Sequence, residues 1–158
     1  MHLRWAANEQ WNPGRHDEQF FDADPGAFLL GIVSGEPVGT ISAVKYPSRR
    51  DGDKPYGFIG FFIVREDQRR KGFGKLLFDA GLERLANCET IGLDAVHAQV
   101  QRYAKLGFVA AHLNARFQTA AAPCERTDPS VVLDVPLESL VGYDAKVHPG
   151  SRGDFIKG

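Results

Sequence analysis

The most apolar strand-like stretch of the chain, YGFIGFFIV from Tyr56 to Val64, is apolar on both of its alternating sets of positions. A strand with one wet face alternates apolar and polar side chains. This one is therefore predicted to be covered on both faces and to lie inside a sheet. Its glycines, Gly57 and Gly60, mark either a bulge or a close approach by another backbone. Upstream, AFLLGIVS and PVGTISAVKY read as two strands joined by a tight connection at Gly35-Glu36, a β-hairpin. The polar loop PSRRDGDKP separates the hairpin from the central strand.

After the central strand the period changes. Phe73, Leu76, Leu77 and Ala80 recur at i, i+3, i+4 and i+7, with Leu82 and Leu85 extending the apolar face, which predicts a long amphipathic helix. IGLDAV then reads as a short strand, AQVQRYAKL as a short helix ended by Gly107, and FVAAHLNARFQTAA as one or two further strands. Before the hairpin, LRWAANEQW suits a helix stopped by Asn12-Pro13-Gly14, and HDEQFF a helical turn or two. Beyond Ala122, PCERTDPS reads as a linker and VVLDVPL as an edge strand, followed by an end rich in Gly, Pro and charge. The order predicts an α/β (α+β) domain, a mixed sheet with helices on both faces.

Length and composition narrow the function classes. At 158 residues the chain has the size of one domain. Nineteen Lys and Arg against twenty Asp and Glu leave a net charge of −1, so no broad basic footprint for nucleic acid exists and any anion site is local. The two cysteines, Cys88 and Cys124, match neither a CxxC nor a zinc spacing, and reduced thiols in the cytoplasm are expected. The five histidines show no metal-ligand spacing, and no metal is expected. No apolar run approaches the ~20 residues needed to span a bilayer, and the start lacks the apolar centre of a signal peptide.

One stretch asks for a local anion. Arg69-Arg70-Lys71-Gly72-Phe73-Gly74-Lys75 lies directly behind the central strand and opens the long helix. Glycines there remove side chains so that successive backbone N–H groups can face a ligand, and the helix start adds roughly half a positive charge. The spacing excludes a P-loop, which needs GxxxxGK before Ser or Thr, and a dinucleotide fingerprint, whose third glycine position holds Leu77.

This R-x-x-G-x-G pattern after an apolar strand resembles motif A of the GCN5-related N-acetyltransferases (GNATs), and RYAKLGF, Arg102 to Phe108, resembles the same family's Y-x-K-L-G-F segment. The resemblance covers roughly Ala27 to Phe117. It implies a mostly antiparallel GNAT-like sheet and acetyl-coenzyme A as co-substrate. The pyrophosphate would be held at Arg69, Arg70, Lys71, Gly72, Phe73, Gly74 and Lys75, although about half of the four cations on a solvated helix start simply face water, and the pantetheine by Phe62, Ile63 and Val64. It puts Tyr103 in the role of acid towards the leaving thiolate. Trp11 and Asn12 fall in the loop that builds the acceptor pocket in relatives, although Trp11 equally suits a hydrophobic anchor.

EQWNPG, GFIGFFIVR, GLDAV and AHLNARF further resemble a bacterial subgroup carrying a second, C-terminal acetyltransferase-like domain. On that reading residues 1–122 form the acetyltransferase domain, and 123–158 a linker and extension that begins a truncated second domain. Three departures stand out. No strand is read before the first helix, Val96 occupies a position where the family often has Asn, and Tyr56–Val64 carries no carboxylate to act as base. Asp94 and His97 are the remaining candidates for that task, each with a blander reading as a turn cap and a loop imidazole.

Three functions stay open. The first is an N-acetyltransferase acting on the primary amine of a small molecule or peptide, with no nucleic acid or membrane partner and with a homodimer allowed. The others are a non-catalytic acyl-CoA-binding or sensing domain, and an interaction module whose turn meets only incidental anions.

Overall fold

The computed structural model describes residues 1–14, 21, 24–115, 117 and 134–157. The described chain runs through helix α1 (His2–Asn8), strands β1 (Phe28–Val33), β2 (Glu36–Tyr46) and β3 (Tyr56–Val64), and helix α2 (Phe73–Arg84). Strand β4 (Thr90–Leu93) and helices α3 (Val100–Lys105), α4 (Leu137–Val147) and α5 (Gly153–Lys157) follow. Two compact units result, Met1–Leu93 with Pro136–Gly158 in one and Asp94–Val135 in the other. The boundary expected after Ala122 falls in the second unit, outside the described residues.

In the first unit the strands form one sheet in the order β1-β2-β3-β4, antiparallel across the first three and parallel between β3 and β4. The central position expected for Tyr56–Val64 is the one observed. The hairpin turns at Ser34 and Gly35, both with positive φ (51° and 82°), rather than at Gly35-Glu36. Positive φ at both central residues gives a turn whose twist matches the strands it joins. A parallel pair needs a crossover, and α2 supplies it between β3 and β4.

Helices cover both faces of this sheet. Ile41 and Ala43 of β2 face α2, where a Cβ at Gly81 would stand 3.0 Å from Ile41 Cδ1. Thr40, pointing the other way, meets His2 of α1, with Oγ1 2.9 Å from the imidazole Nδ1. His2 also stacks on Phe28 and is buried with Ala6.

The buried side of α2 and its C-cap is Leu77, Phe78, Gly81 and Leu85; of the expected face Leu77 and Leu85 are buried, Phe73 and Leu82 are half-buried, and Leu76 and Ala80 are exposed, Leu76 at 67%. The face is turned towards Phe78 and Gly81, a shift the apolar pattern misses because glycine scores as neutral in it. Here Gly81 lets the helix lie close over Ile41 of the sheet. Arg84 locks the far end of α2, donating from Nε to the Ala43 carbonyl at 3.0 Å and pairing with Asp24 at 2.6 Å.

In the second unit, a single 3₁₀ turn (His97–Gln99) leads into α3, which stops before Gly107, a residue with φ of 93°. The strands expected in FVAAHLNARFQTAA do not form over the described Phe108–Ala115 and Phe117; residue 116 and residues 118–121 lie outside the description. A strand exists only where a neighbour completes its ladder, and no such neighbour occurs among the described residues.

The C-terminal segment differs from expectation as well. Asp134–Pro136 carries no strand and Leu137 opens a helix, while residues 131–133 of the expected edge strand, the linker, HDEQF and Cys124 lie outside the described residues. In the first unit this segment returns to the sheet. His148 sets its ring edge-on to Tyr46 and Tyr56, and the Ser151 amide donates to the Pro47 carbonyl at 2.8 Å. No helix of the described residues is long and apolar enough to cross a membrane.

Candidate functional site

The site begins with an irregularity in β3. Thr40 pairs with Ile63 and Ser42 with Gly60, so Ile41 alone stands opposite both Phe61 and Phe62. That count of two against one is a β-bulge, and Phe61 adopts φ of 46° to make it. The bulge lies beside Gly60 rather than at a glycine. Gly60 is instead required by Ser42, whose Oγ would stand 2.9 Å from an added Cβ, and Gly57 by Leu85 and Cys88 at 3.1 Å.

The second feature is an open edge. β4 pairs only with Tyr56–Ile59, so Gly60–Val64, including Phe62, Ile63 and Val64, has no strand on that side among the described residues. Backbone groups there that turn away from β2 can meet an extended amide-bearing ligand.

The third feature is the turn into α2. A 3₁₀ turn at Glu66–Gln68 leads to Arg69 in extended conformation, Arg70 with φ of 64°, and Gly72 with φ of 89° as the helix N-cap. Left-handed backbone at Gly72 costs nothing, whereas a side chain there would be strained. The intrahelical bonds start at the Lys75 and Leu76 amides, which both donate to the Gly72 carbonyl. Among the described residues, no acceptor meets the amides of residues 70–74. The amides of Gly72, Phe73 and Gly74 are the orphan donors of the helix start, and Arg70, Lys71 and Gly72 are exposed residues.

The cations around this turn differ in their commitments. Arg69 donates from Nε to the Val64 carbonyl at 2.9 Å and pairs through Nη2 with Glu9 at the end of α1. Lys71 donates to Gln68 Oε1 at 3.1 Å, and Lys75 pairs with Asp79 one helical turn on. Arg70 has neither an ion pair nor a side-chain hydrogen bond among the described residues. In the same unit, Trp11 is half-buried with its amide closing onto the Ala6 carbonyl at 3.0 Å, and Asn12 is exposed with φ of 50°.

Tyr103, Asp94 and His97 belong to the second unit. Tyr103 is half-buried, with Phe108 edge-on at 6.0 Å, and burial pushes its phenol above the ordinary range, opposed to a lesser degree by the Arg102 charge. Asp94 is exposed and accepts a hydrogen bond from Asn114 Nδ2 at 3.0 Å; His97 is exposed. Among the described residues, no three His, Cys, Asp or Glu gather where they could hold a metal.

Sequence reasoning missed Glu9. No local signal links an acid at the end of one helix to an arginine sixty positions away.

Comparison with known proteins gives consistent matches. The profile of the acetyltransferase (GNAT) family matches residues 1–108. A holothin acyltransferase of Pseudoalteromonas sp. is 37% identical over 97% of this chain and 51% of its own length. An uncharacterised protein of Caenorhabditis elegans is 31% identical over 63% of this chain and 36% of its own length. The chain thus spans about half or less of the curated relatives it matches. An acetyltransferase of Trypanosoma brucei shares the fold with a TM-score of 0.54 and 25% identity, covering 65% of this chain and 77% of that one.

Proposed function

The chain belongs to the acetyltransferase (GNAT) family, and from that premise we propose that it transfers an acetyl group from acetyl-CoA to the primary amine of a small molecule or peptide by direct attack. The single observation that carries this reading is the run of unclaimed amides at residues 70–74, set at the head of a twelve-residue helix among Arg69, Arg70, Lys71 and Lys75. Donors converging on one bend with a local positive charge fit a diphosphate. The open edge at Gly60–Val64 fits the amides of a pantetheine arm. Acetyl-CoA supplies a thioester carbonyl, and the protein's part is to orient it and to manage protons.

Tyr103 manages the proton of the leaving thiolate. A phenol held above its ordinary pKa of about 10 stays protonated at neutral pH and gives its Oη proton to the departing sulfur. The acceptor amine, with an ordinary pKa of about 10.4, must lose a proton before or during attack. β3 carries no carboxylate for this, so Asp94 or His97 takes it, directly or through water. A backbone N–H turned by the Phe61–Phe62 bulge serves the developing oxyanion. Trp11 and Asn12 line the acceptor side. The reaction belongs in the cytoplasm, where the free thiol of Cys88 stays reduced.

The missing strand carboxylate favours a second reading, an acyl-CoA-binding domain without turnover. Calorimetric titration with coenzyme A, followed by thiol release from acetyl-CoA across a panel of amines, separates the two. Binding with amine-dependent thiol release is the expected result. Binding without release under any amine supports the sensor, and no binding removes both.

A further inference from the structure

Resting on the reading of the turn as an acyl-CoA site, we propose that Glu9 is a positioning residue: its carboxylate fixes the Arg69 guanidinium and so ties the loop at Trp11 and Asn12 to the diphosphate turn.

The contact pattern of Arg69 carries the argument. Its Nε is spent on the Val64 carbonyl and its Nη2 on Glu9 Oε1, which together grip one edge of the planar guanidinium. Nη1 makes no hydrogen bond among the described residues, so the far edge keeps its donors for an anion. A guanidinium held by two acceptors on one side presents the other side at a fixed angle, and fixed geometry is what bidentate recognition of phosphate needs.

Glu9 is itself placed by packing. α1 is fastened through the buried Ala6 and through His2 on Thr40. The Glu9 amide closes onto the Trp5 carbonyl at 3.1 Å and the Trp11 amide onto Ala6. Glu9 and Trp11 thus ride on one short, hydrogen-bonded helix end. The ion pair Glu9–Arg69 joins that helix end to the turn.

Stability does not explain the pair. Its side chains are 37% and 44% exposed, and pairs so open to water contribute little to folding. Simple Coulomb repulsion makes the opposite claim from positioning: a carboxylate beside an anion site weakens anion binding, so its removal would tighten it. The sign of the change therefore decides.

The test is calorimetric titration of the full chain and its variants with coenzyme A, with melting temperatures and steady-state constants for the acceptor alongside. Glu9→Ala is expected to weaken coenzyme A binding about fivefold or more, a modest coupling between contacts, and to raise the acceptor KM without moving the melting temperature. Glu9→Gln, which keeps the hydrogen bond, is expected to restore most of the loss. The double variant Glu9→Ala/Arg69→Ala is expected to match Arg69→Ala alone. Equal or tighter binding by Glu9→Ala, failure of Glu9→Gln to rescue, or additive losses in the double variant would overturn the proposal while leaving the site reading intact. Absence of binding by the unaltered chain would overturn both.

Discussion

Leu77 of α2 lies so close over Gly39 of β2 that a Cβ at residue 39 would stand 2.5 Å from Leu77 Cδ1. Gly31 is paired across the sheet with Gly39 and meets the same leucine at 3.4 Å. The two glycines form a hollow in the sheet that one buried leucine fills, and this sets how near α2 can come.

Gly39→Ala is expected to destabilise the chain by about 1–3 kcal/mol, because the added carbon must push Leu77 off a good rotamer or lift α2. Denaturant melts check this. Recovery of part of the loss by the smaller Leu77→Val on the same background would show that the two positions share one space.

His2 gives a pH dependence with a defined sign. Burial lowers the pKa of its imidazole below the ordinary 6.5, so the folded state binds fewer protons than the unfolded one. Its contribution is full above pH 6.5 and is lost as pH falls from there through the lowered folded value. Thermal melts of the native chain and of His2→Gln across pH 7.5 to 5 read this directly. The substitution is expected to flatten the fall over that window.

Arg84 and Asp24 tie the approach to β1 to the end of α2, with side-chain exposures of 28% and 20%. Asp24 also accepts from the Lys45 amide at 3.3 Å. Removing either charge leaves the other partly buried partner unsatisfied, at a cost of roughly 1–3 kcal/mol. A double-mutant cycle with Arg84→Met and Asp24→Asn, followed by urea unfolding, is expected to show clear coupling.

The sequence was most legible where function is local. The hairpin strands, the full extent of β3 and the glycine-cation turn follow from composition and period, because each is specified by adjacent residues. The strand expected in FVAAHLNARFQTAA is not present in its described part, since a strand is decided by its neighbour rather than by its own residues. The buried face of α2 keeps the expected Leu77 and Leu85 but turns towards Gly81 for a related reason: Gly81 packs over Ile41 and Ala43 of the sheet. Glu9 was invisible because its meaning depends on where α1 docks. A bulge in β3 is one reading of its glycines, but its place at Phe61 and Phe62 depends on pairing with β2.

Tyr103→Phe separates acid catalysis from packing. The ring and its contact with Phe108 are kept while the Oη proton is lost. Turnover is expected to fall by about 100-fold or more with coenzyme A affinity unchanged. In the native chain, any alkaline limb from this group is expected above pH 10, since burial raises its pKa. Unchanged turnover and pH profile in the variant would assign the proton to another donor.

The central claim is that the main-chain amides at residues 70–74 grip the diphosphate of an acyl-CoA. Titrating the isotope-labelled chain with coenzyme A while following each backbone amide by NMR tests it most directly. The account expects the largest shifts at Arg70 through Gly74, lost in Gly72→Glu with the remaining spectrum intact. Saturable binding that leaves those amides unmoved would contradict it.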